Sequence, residues 1–400
     1  MVTVMSGRIA IAVMACTLLA PTAFAADPQV VYQHGVDSLY NLDFSLAEAD
    51  FKNLTTEHPD DPLYWNGYAS TIWLRILYSQ QKLNIESFSM KDTFGTGQSK
   101  DDVNAAEEKR LVETVNTAIA KADALLKKNP NDVRALYSKG MSFGSLATFH
   151  ATAQRKYFLA KGEAEKARDL HRQVLRIDPN FHDAEMSIGA YNYVVAIIPG
   201  WVKFTLFFVG FNGEGKDVGI RQIEDTARLG KLGATDAKML LLIVYNREGR
   251  HADSMKIVDE LHARYPRNFI FEMSRAQVFR KLGKYDRAYL TYQEILKKVA
   301  ARTDGYERLR SAKVYYDIAK SQTEEKDFGA VFASYTKVVE PTSDATPNER
   351  ADAQIWMGMI LDSQNDRKNA LAHYNEVAKL DCNPEYKDRA ARYIRRAYGP

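Results

Sequence analysis

Apolar residues recur at the spacing of one helix face along residues 269–296, the most regular stretch of the chain. Small or aromatic residues recur on one face of two segments that Gly283 separates. They are Ala276 and Phe279 on the first segment, and Tyr285, Ala288, Tyr292 and Ile295 on the second. Glycine permits a tight turn, and the two alanines allow close approach. The pattern therefore predicts a hairpin of two helices that meet at Ala276 and Ala288.

This spacing resembles the tetratricopeptide repeat, a helical hairpin of about 34 residues. Comparable small and aromatic positions precede Pro59, Pro130, Pro179 and Pro266, where proline stops a helix. A lone hairpin cannot bury its apolar face, so neighbouring hairpins must stack, and a final basic helix at 386–398 would cover the last one. The sequence thus predicts an all-α tetratricopeptide-repeat α-solenoid of about eight helical hairpins.

The second, third and fourth repeats are longer than the others. The small residues of the regular hairpin lie 12 positions apart, whereas the spacings Ala69–Ala118, Gly140–Ala167 and Gly189–Gly219 are 49, 27 and 30. The last two excesses correspond to about two extra turns on each helix. Part of the first excess is a polar, glycine-containing stretch at 87–104 that we expect to be a surface loop. We therefore expect lengthened helices in repeats 2–4.

An apolar insert at 193–211 distinguishes the fourth repeat. Pro199 and Gly200 interrupt it, which makes it too broken for a membrane-spanning helix. Two interpretations remain open. Its aromatic residues could be core of the lengthened hairpin, or part of the run could be an exposed patch. The exposed side would then include the candidate interaction patch Trp201, Lys203, Leu206 and Phe207, because Lys203 marks the face that meets water.

The insert also carries a family resemblance. Pro199, the run Gly210-Phe211-Asn212-Gly213, Gly219-Ile220, Glu224 and Ala227 are similar to a pattern in the inclusion body clearance protein / tetratricopeptide repeat protein 39 family. The resemblance covers about residues 135–266. It implies a helical-repeat fold with an embedded apolar insert and a non-catalytic role. Eukaryotic members are intracellular, whereas this chain has an export signal, so we transfer the fold and not the aggregate-clearing role.

The N-terminus has the features of a signal peptide. Arg8 precedes an apolar core at 9–20, and Ala23-Phe24-Ala25 matches a cleavage site. We expect a domain order of signal peptide (1–25), N-terminal repeats with long inserts (26–230), and C-terminal regular repeats with a capping helix (231–400). The protein would then be periplasmic or secreted. The alternative, a lipoprotein anchored at Cys16, is less favoured because apolar sequence continues beyond Cys16 to the cleavage site.

Charge and motifs exclude several function classes. The formal net charge is +3, with 54 basic and 51 acidic residues, which argues against nucleic-acid binding. The sequence has no phosphate-binding loop, serine-hydrolase elbow or zinc-protease motif. The eight histidines complete no ligand set at a recognisable spacing. We therefore expect no enzymatic activity, no metal and no cofactor.

These observations favour an exported, non-catalytic scaffold that mediates protein–protein interaction, because stacked repeats present an extended groove to a protein or peptide. The alternative is an accessory binding protein for an apolar ligand or a membrane surface, which would use the insert 193–211. In both cases we expect no transmembrane helix after signal cleavage.

Overall fold

The computed structural model of this chain describes residues 27–80, 83, 104–198 and 213–399. Seventeen α-helices account for most of these residues. In chain order they are α1 (Pro28–Tyr40), α2 (Phe44–Glu57), α3 (Pro62–Ser79), α4 (Ala105–Lys128), α5 (Val133–Thr152), α6 (Tyr157–Ile177), α7 (Glu185–Ile197), α8 (Lys216–Leu229), α9 (Ala234–Arg247), α10 (His251–Arg264), α11 (Phe269–Lys281), α12 (Tyr285–Ala300), α13 (Ser311–Glu325), α14 (Phe328–Val339), α15 (Pro347–Ser363), α16 (Arg367–Lys379) and α17 (Pro384–Arg395). A 3₁₀ turn, His182–Ala184, precedes α7.

Successive helices pack in pairs, so the described residues form eight hairpins, α1–α2 through α15–α16, and α17 follows the last. The predicted hairpin at 269–296 is α11–α12. Ala276 and Ala288 are fully buried where these helices meet, and Gly283 takes a left-handed φ of 68° in the turn. The prediction of an all-α tetratricopeptide-repeat solenoid is confirmed.

Lengthened helices occur in hairpins 2 and 3. The helices α4, α5 and α6 contain 24, 20 and 21 residues, compared with 13 in α11. In hairpin 4, α7 and α8 contain 13 and 14 residues, and most of the apolar insert between them lies outside the described residues. The predicted interruption of the insert at Pro199 and Gly200 therefore stays a prediction. The division of the repeats at residue 230 likewise stays a proposal.

At two positions in hairpin 4, the helices lie too close together for any side chain to fit between them. A Cβ on Gly189 would lie 2.6 Å from the carbonyl oxygen of Gly219, and a Cβ on Gly219 would lie 2.6 Å from the carbonyl oxygen of Gly189. Both obstacles are backbone atoms, which cannot rotate away. The two small residues that the sequence placed at this contact are therefore required by the backbone spacing.

The first six hairpins close into a ring, because hairpin 1 packs against hairpins 5 and 6. Tyr40 of α1 lies in one buried cluster with Tyr265 and Phe271, and the Tyr40 and Tyr265 rings are 5.3 Å apart. The Asn268 side chain donates a hydrogen bond of 2.7 Å to the carbonyl oxygen of Tyr40, and Arg267 pairs with Asp43. These contacts bring together elements that are more than 200 residues apart in sequence.

The last hairpin is covered by α17, as predicted for a terminal helix. Arg389 of α17 pairs with Asp352 of α15 at 2.9 Å, and Ala390 is buried against the same hairpin. Arg367 of α16 donates to the carbonyl oxygens of Tyr393 and Ile394. The cap therefore supplies the apolar cover that a next repeat would have supplied.

Candidate functional site

A cavity of about 250 Å³ lies where the ring closes, between the end of α3, the inner face of α11 and the start of α13. Its walls come from three distant parts of the chain. The lining residues are Tyr78, Ser79, Leu83, Phe269, Ile270, Met273, Ser274, Gln277, Arg308, Leu309, Arg310, Lys313 and Asp317. The first helix of hairpin 6 (α11) and the first helix of hairpin 7 (α13) face this space, so the cavity belongs to the inner groove of the solenoid.

Most of the cavity wall is apolar. The ring of Tyr78 lies 6.3 Å from that of Phe269 and 5.3 Å from that of Phe44. Ile270 and Met273 of α11 form the floor, and each is at least nine-tenths buried. Burial also raises the pKa of Tyr78. This end of the cavity is therefore suited to an uncharged, apolar group.

The opposite end of the cavity is polar. Gln277 is 7% exposed, and its Nε2 donates a long hydrogen bond of 3.3 Å to Asp317. Lys313 donates to the other oxygen of the Asp317 carboxylate, so these two charges are paired. The Oε1 of Gln277 is enclosed and has no donor among the described residues. A buried acceptor without a donor is costly, so the Oε1 of Gln277 is a candidate acceptor for a hydrogen bond from a ligand.

Arg310 forms a fixed wall beside this polar end. Its guanidinium holds the Glu349 carboxylate through two hydrogen bonds of 2.6 and 2.9 Å. Burial alone would raise the pKa of Glu349, but the hydrogen bonds from Arg310 outweigh it, and the pKa is lowered. Glu349 also completes the capping box of α15 with Thr346. Because Arg310 is committed to Glu349, it shapes the cavity, whereas Arg308 is exposed at its mouth.

The cavity is small, with an apolar end and a polar end. Its volume is just below the range of about 300–1,000 Å³ that is usual for small-molecule sites. One large apolar side chain would fill it. Among the described residues, no group of three or more His, Cys, Asp or Glu side chains could hold a metal ion. The arrangement can therefore bind an apolar group next to a hydrogen-bond donor.

The predicted interaction patch is at another place in the chain. Trp201, Lys203, Leu206 and Phe207 lie outside the described residues, so their role stays a prediction. The cavity itself was missed by sequence reasoning because its walls meet only through ring closure. The one available signal was the polar pair Ser274 and Gln277 on the inner face of an otherwise regular hairpin.

No helix in the described ranges is long and apolar enough to cross a membrane.

Comparisons with known proteins identify relatives of this chain. The sequence profile of the Iml2/Tetratricopeptide repeat protein 39 family matches residues 99–346. Yeast Tom70 is similar in structure, with 13% identity, coverage of 93% of this chain and 89% of that chain, and a TM-score of 0.35. The human IFIT1 dimer with m7Gppp-AAAA is also similar in structure, with 12% identity, coverage of 92% of this chain and 87% of that chain, and a TM-score of 0.40. A tetratricopeptide repeat protein from Parabacteroides merdae has 14% identity, coverage of 91% of this chain and 97% of that chain, and a TM-score of 0.28. The profile match extends beyond residues 135–266 in both directions.

Proposed function

This chain belongs to the Iml2/Tetratricopeptide repeat protein 39 family, and on that premise we propose that it is a non-catalytic scaffold that binds a protein partner through the cavity at α3, α11 and α13. The partner inserts one large apolar side chain between Tyr78 and Met273. The same segment donates an N–H to Gln277 Oε1. Helical repeats commonly take extended segments in their inner groove, which supports this kind of partner.

The enclosed acceptor on Gln277 is the observation that carries this proposal. A side chain that served only to fill the core would be apolar, because an unsatisfied amide oxygen destabilises the folded state. Gln277 keeps its amide at the polar end of the cavity, and its Oε1 has no donor among the described residues. Its Nε2 is used within the protein by Asp317, whereas its Oε1 is left for a partner.

We predict that Gln277→Met separates stability from binding. Methionine keeps the length of the side chain and removes both the unsatisfied acceptor and the long hydrogen bond to Asp317, which keeps its pair with Lys313, so the melting temperature should change little. Binding should weaken about tenfold, which corresponds to one lost hydrogen bond of about 1.4 kcal/mol. Peptides selected from a random displayed library on the wild-type protein provide the ligand, and titration calorimetry measures both proteins.

A second variant separates the cavity from the rest of the surface. Ser274→Leu fills part of the cavity and should abolish binding of the selected peptides. Leu290→Ser, on the exposed face of α12, should bind like the wild type. If peptides bind Ser274→Leu as tightly as the wild type, the cavity is not the binding site.

We also propose that the protein is exported, with cleavage after Ala25, which would make it periplasmic or secreted. The small-x-small pattern at residues 23–25 supports this proposal. The intact mass of the processed protein from the producing cell tests it. A mature chain that begins at a lipid-modified Cys16 would overturn it.

A second candidate function is contact with a membrane surface at the end of hairpins 3 and 4. Phe158 and Leu159 begin α6 and are 66% and 48% exposed. The hydroxyl of Tyr191 in α7 donates a hydrogen bond of 3.2 Å to Glu165 in the neighbouring antiparallel helix α6, so the start of α6 and the end of α7 lie at the same end of this pair. The apolar insert leaves α7 at that end, and the exposed Lys156 adds positive charge. Exposed apolar residues next to basic ones favour anionic lipid surfaces.

Vesicle binding tests this second candidate. Sedimentation with vesicles that contain phosphatidylglycerol should carry down the wild type, and Phe158→Ser/Leu159→Ser should bind several-fold less. Tyr289→Ser/Leu290→Ser is a matched control, because these two residues are 46% and 63% exposed on α12. Equal loss in both variants, or no sedimentation of the wild type, would remove the membrane function.

A further inference from the structure

The inner space of the ring contains an accessible carboxylate without a charged partner. Asp236 lies in the first turn of α9 and is exposed, although the surrounding helices raise its pKa by burial. A carboxylate that lines an internal space open to water is both accessible to solvent and surrounded by protein, which accounts for its exposure and for its raised pKa. The hydroxyl of Tyr40, from the opposite side of the ring closure, donates a hydrogen bond to Asp236 Oδ1. No ion pair to Asp236 occurs among the described residues.

Helix capping does not account for Asp236. An acidic residue in this position often accepts a hydrogen bond from the backbone at the start of its own helix. Asp236 accepts no such bond: no described side chain caps α9, and Asp183 accepts from the backbone N–H groups of Lys231, Leu232 and Gly233, in the turn before the helix, at 2.8–3.0 Å. Asp236 is therefore left free to face the inner space.

Two tyrosine hydroxyls point into the same space. Tyr32 and Tyr137 are 6% and 2% exposed, so their rings are buried. Neither hydroxyl has a hydrogen-bond partner in the described part of the chain, and neither is among the fully enclosed polar atoms without partners. A Cβ on Gly233 would lie 3.5 Å from the Tyr137 hydroxyl oxygen, which places that hydroxyl beside the start of α9. Burial is the main reason that the pKa of both tyrosines is raised, and the charge on Asp236 adds to it.

The local charge of this space is negative. Arg134, the cation nearest to Tyr32, is paired with Asp61 at 2.7 Å. Asp183 adds a second negative charge near Asp236. An anion in this environment, with unpartnered hydroxyl oxygens beside it, attracts a cation that can donate several hydrogen bonds.

We propose that this inner space binds a primary ammonium group, which donates to Asp236 and to the hydroxyl oxygens of Tyr32 and Tyr137. An ammonium has three donors and no acceptor, and it matches one carboxylate and two hydroxyl oxygens. The ammonium could belong to a free alkyl diamine or to a lysine side chain of a peptide, since both present the same group. This site is separate from the cavity at α11 and does not depend on the proposed function.

Calorimetric titration of the full chain tests this site, with 1,4-diaminobutane, an acetylated and amidated lysine peptide, and tetramethylammonium chloride as probes at one ionic strength. At least one primary amine should bind saturably, whereas tetramethylammonium, which has no N–H donor, should not. Preference for the diamine identifies a free amine as the ligand type, and preference for the peptide identifies a lysine side chain. Saturable binding of neither primary amine would overturn the proposal.

Variants locate the binding. Asp236→Asn keeps the hydrogen bond from Tyr40 and should weaken amine binding at least tenfold. Asp217→Asn is the matched control, because Asp217 is an exposed acid in the first turn of α8, and it should bind like the wild type. Tyr137→Phe removes one hydroxyl and should weaken binding several-fold, which keeps the test open if Asp236→Asn fails to fold. Wild-type affinity in a folded Asp236→Asn or Tyr137→Phe would overturn the proposal.

Discussion

Gly219→Leu should separate the two helices of hairpin 4 and lower the free energy of unfolding by about 3 kcal/mol. A Cβ at this position would lie 2.6 Å from the carbonyl oxygen of Gly189 and 2.7 Å from the backbone nitrogen of Tyr193. Because both obstacles are backbone atoms, the strain can be relieved only if α7 moves away from α8. That movement would also open the buried cluster around Tyr193 and Ile223. Chemical denaturation followed by circular dichroism measures the loss.

Gly144→Ala provides the control for this prediction. Gly144 lies inside α5, and a Cβ there would meet nothing within 4 Å. Alanine in a helix interior is more favourable than glycine by about 0.5–1 kcal/mol, so this variant should be slightly more stable than the wild type. Unfolding of Gly219→Leu at the same denaturant concentration as the wild type would contradict the close backbone contact between α7 and α8.

Tyr265→Ala should open the ring and destabilise the protein by about 3–5 kcal/mol. Tyr265 is fully buried, and its ring packs against Tyr40 of α1 at 5.3 Å and against Phe271 of α11 at 6.1 Å. Its hydroxyl lies 3.2 Å from that of Thr235. Alanine removes the aromatic centre of the only cluster that joins the described part of hairpin 1 to α10. We expect faster hydrogen exchange in α1 and α2, measured by mass spectrometry.

Tyr292→Ala separates ring opening from general destabilisation. Tyr292 is equally buried, but its cluster belongs to hairpins 6 and 7 and contains no residue of hairpin 1. Both variants should lose stability, yet only Tyr265→Ala should increase exchange in α1 and α2 more than in α12. The same exchange pattern in both variants would mean that hairpin 1 does not depend on the ring closure.

Local features of the fold could be predicted from the sequence because they depend on short-range spacing. Ala276, Ala288 and Gly283 define a hairpin within 30 residues, and the structure places all three as the pattern predicts. The family resemblance, which began from residues 199–227, is confirmed by the profile match over residues 99–346. Each of these signals lies within one repeat or within neighbouring repeats.

The cavity and the inner space of the ring could not be predicted in the same way. Tyr78 and Phe269 form one wall of the cavity, but they are almost 200 residues apart, and their contact depends on the curvature of every hairpin between them. Curvature accumulates from small rotations at each stacked pair, and no single residue encodes it. The patch at Trp201, Lys203, Leu206 and Phe207 was predicted from local sequence alone, lies outside the described residues and stays a prediction.

Site-specific photo-crosslinking tests the proposed binding site most directly. p-Benzoylphenylalanine replaces Tyr78 in the cavity wall, and in a separate protein it replaces Tyr289, which is exposed on α12. With a peptide selected on the wild-type protein, we predict that the probe at 78 crosslinks to a single apolar residue of the peptide. Ser274→Leu should abolish this crosslink, and the probe at 289 should give none. Crosslinking from 289 alone, or crosslinking from 78 that persists in Ser274→Leu, would contradict a binding site in the cavity.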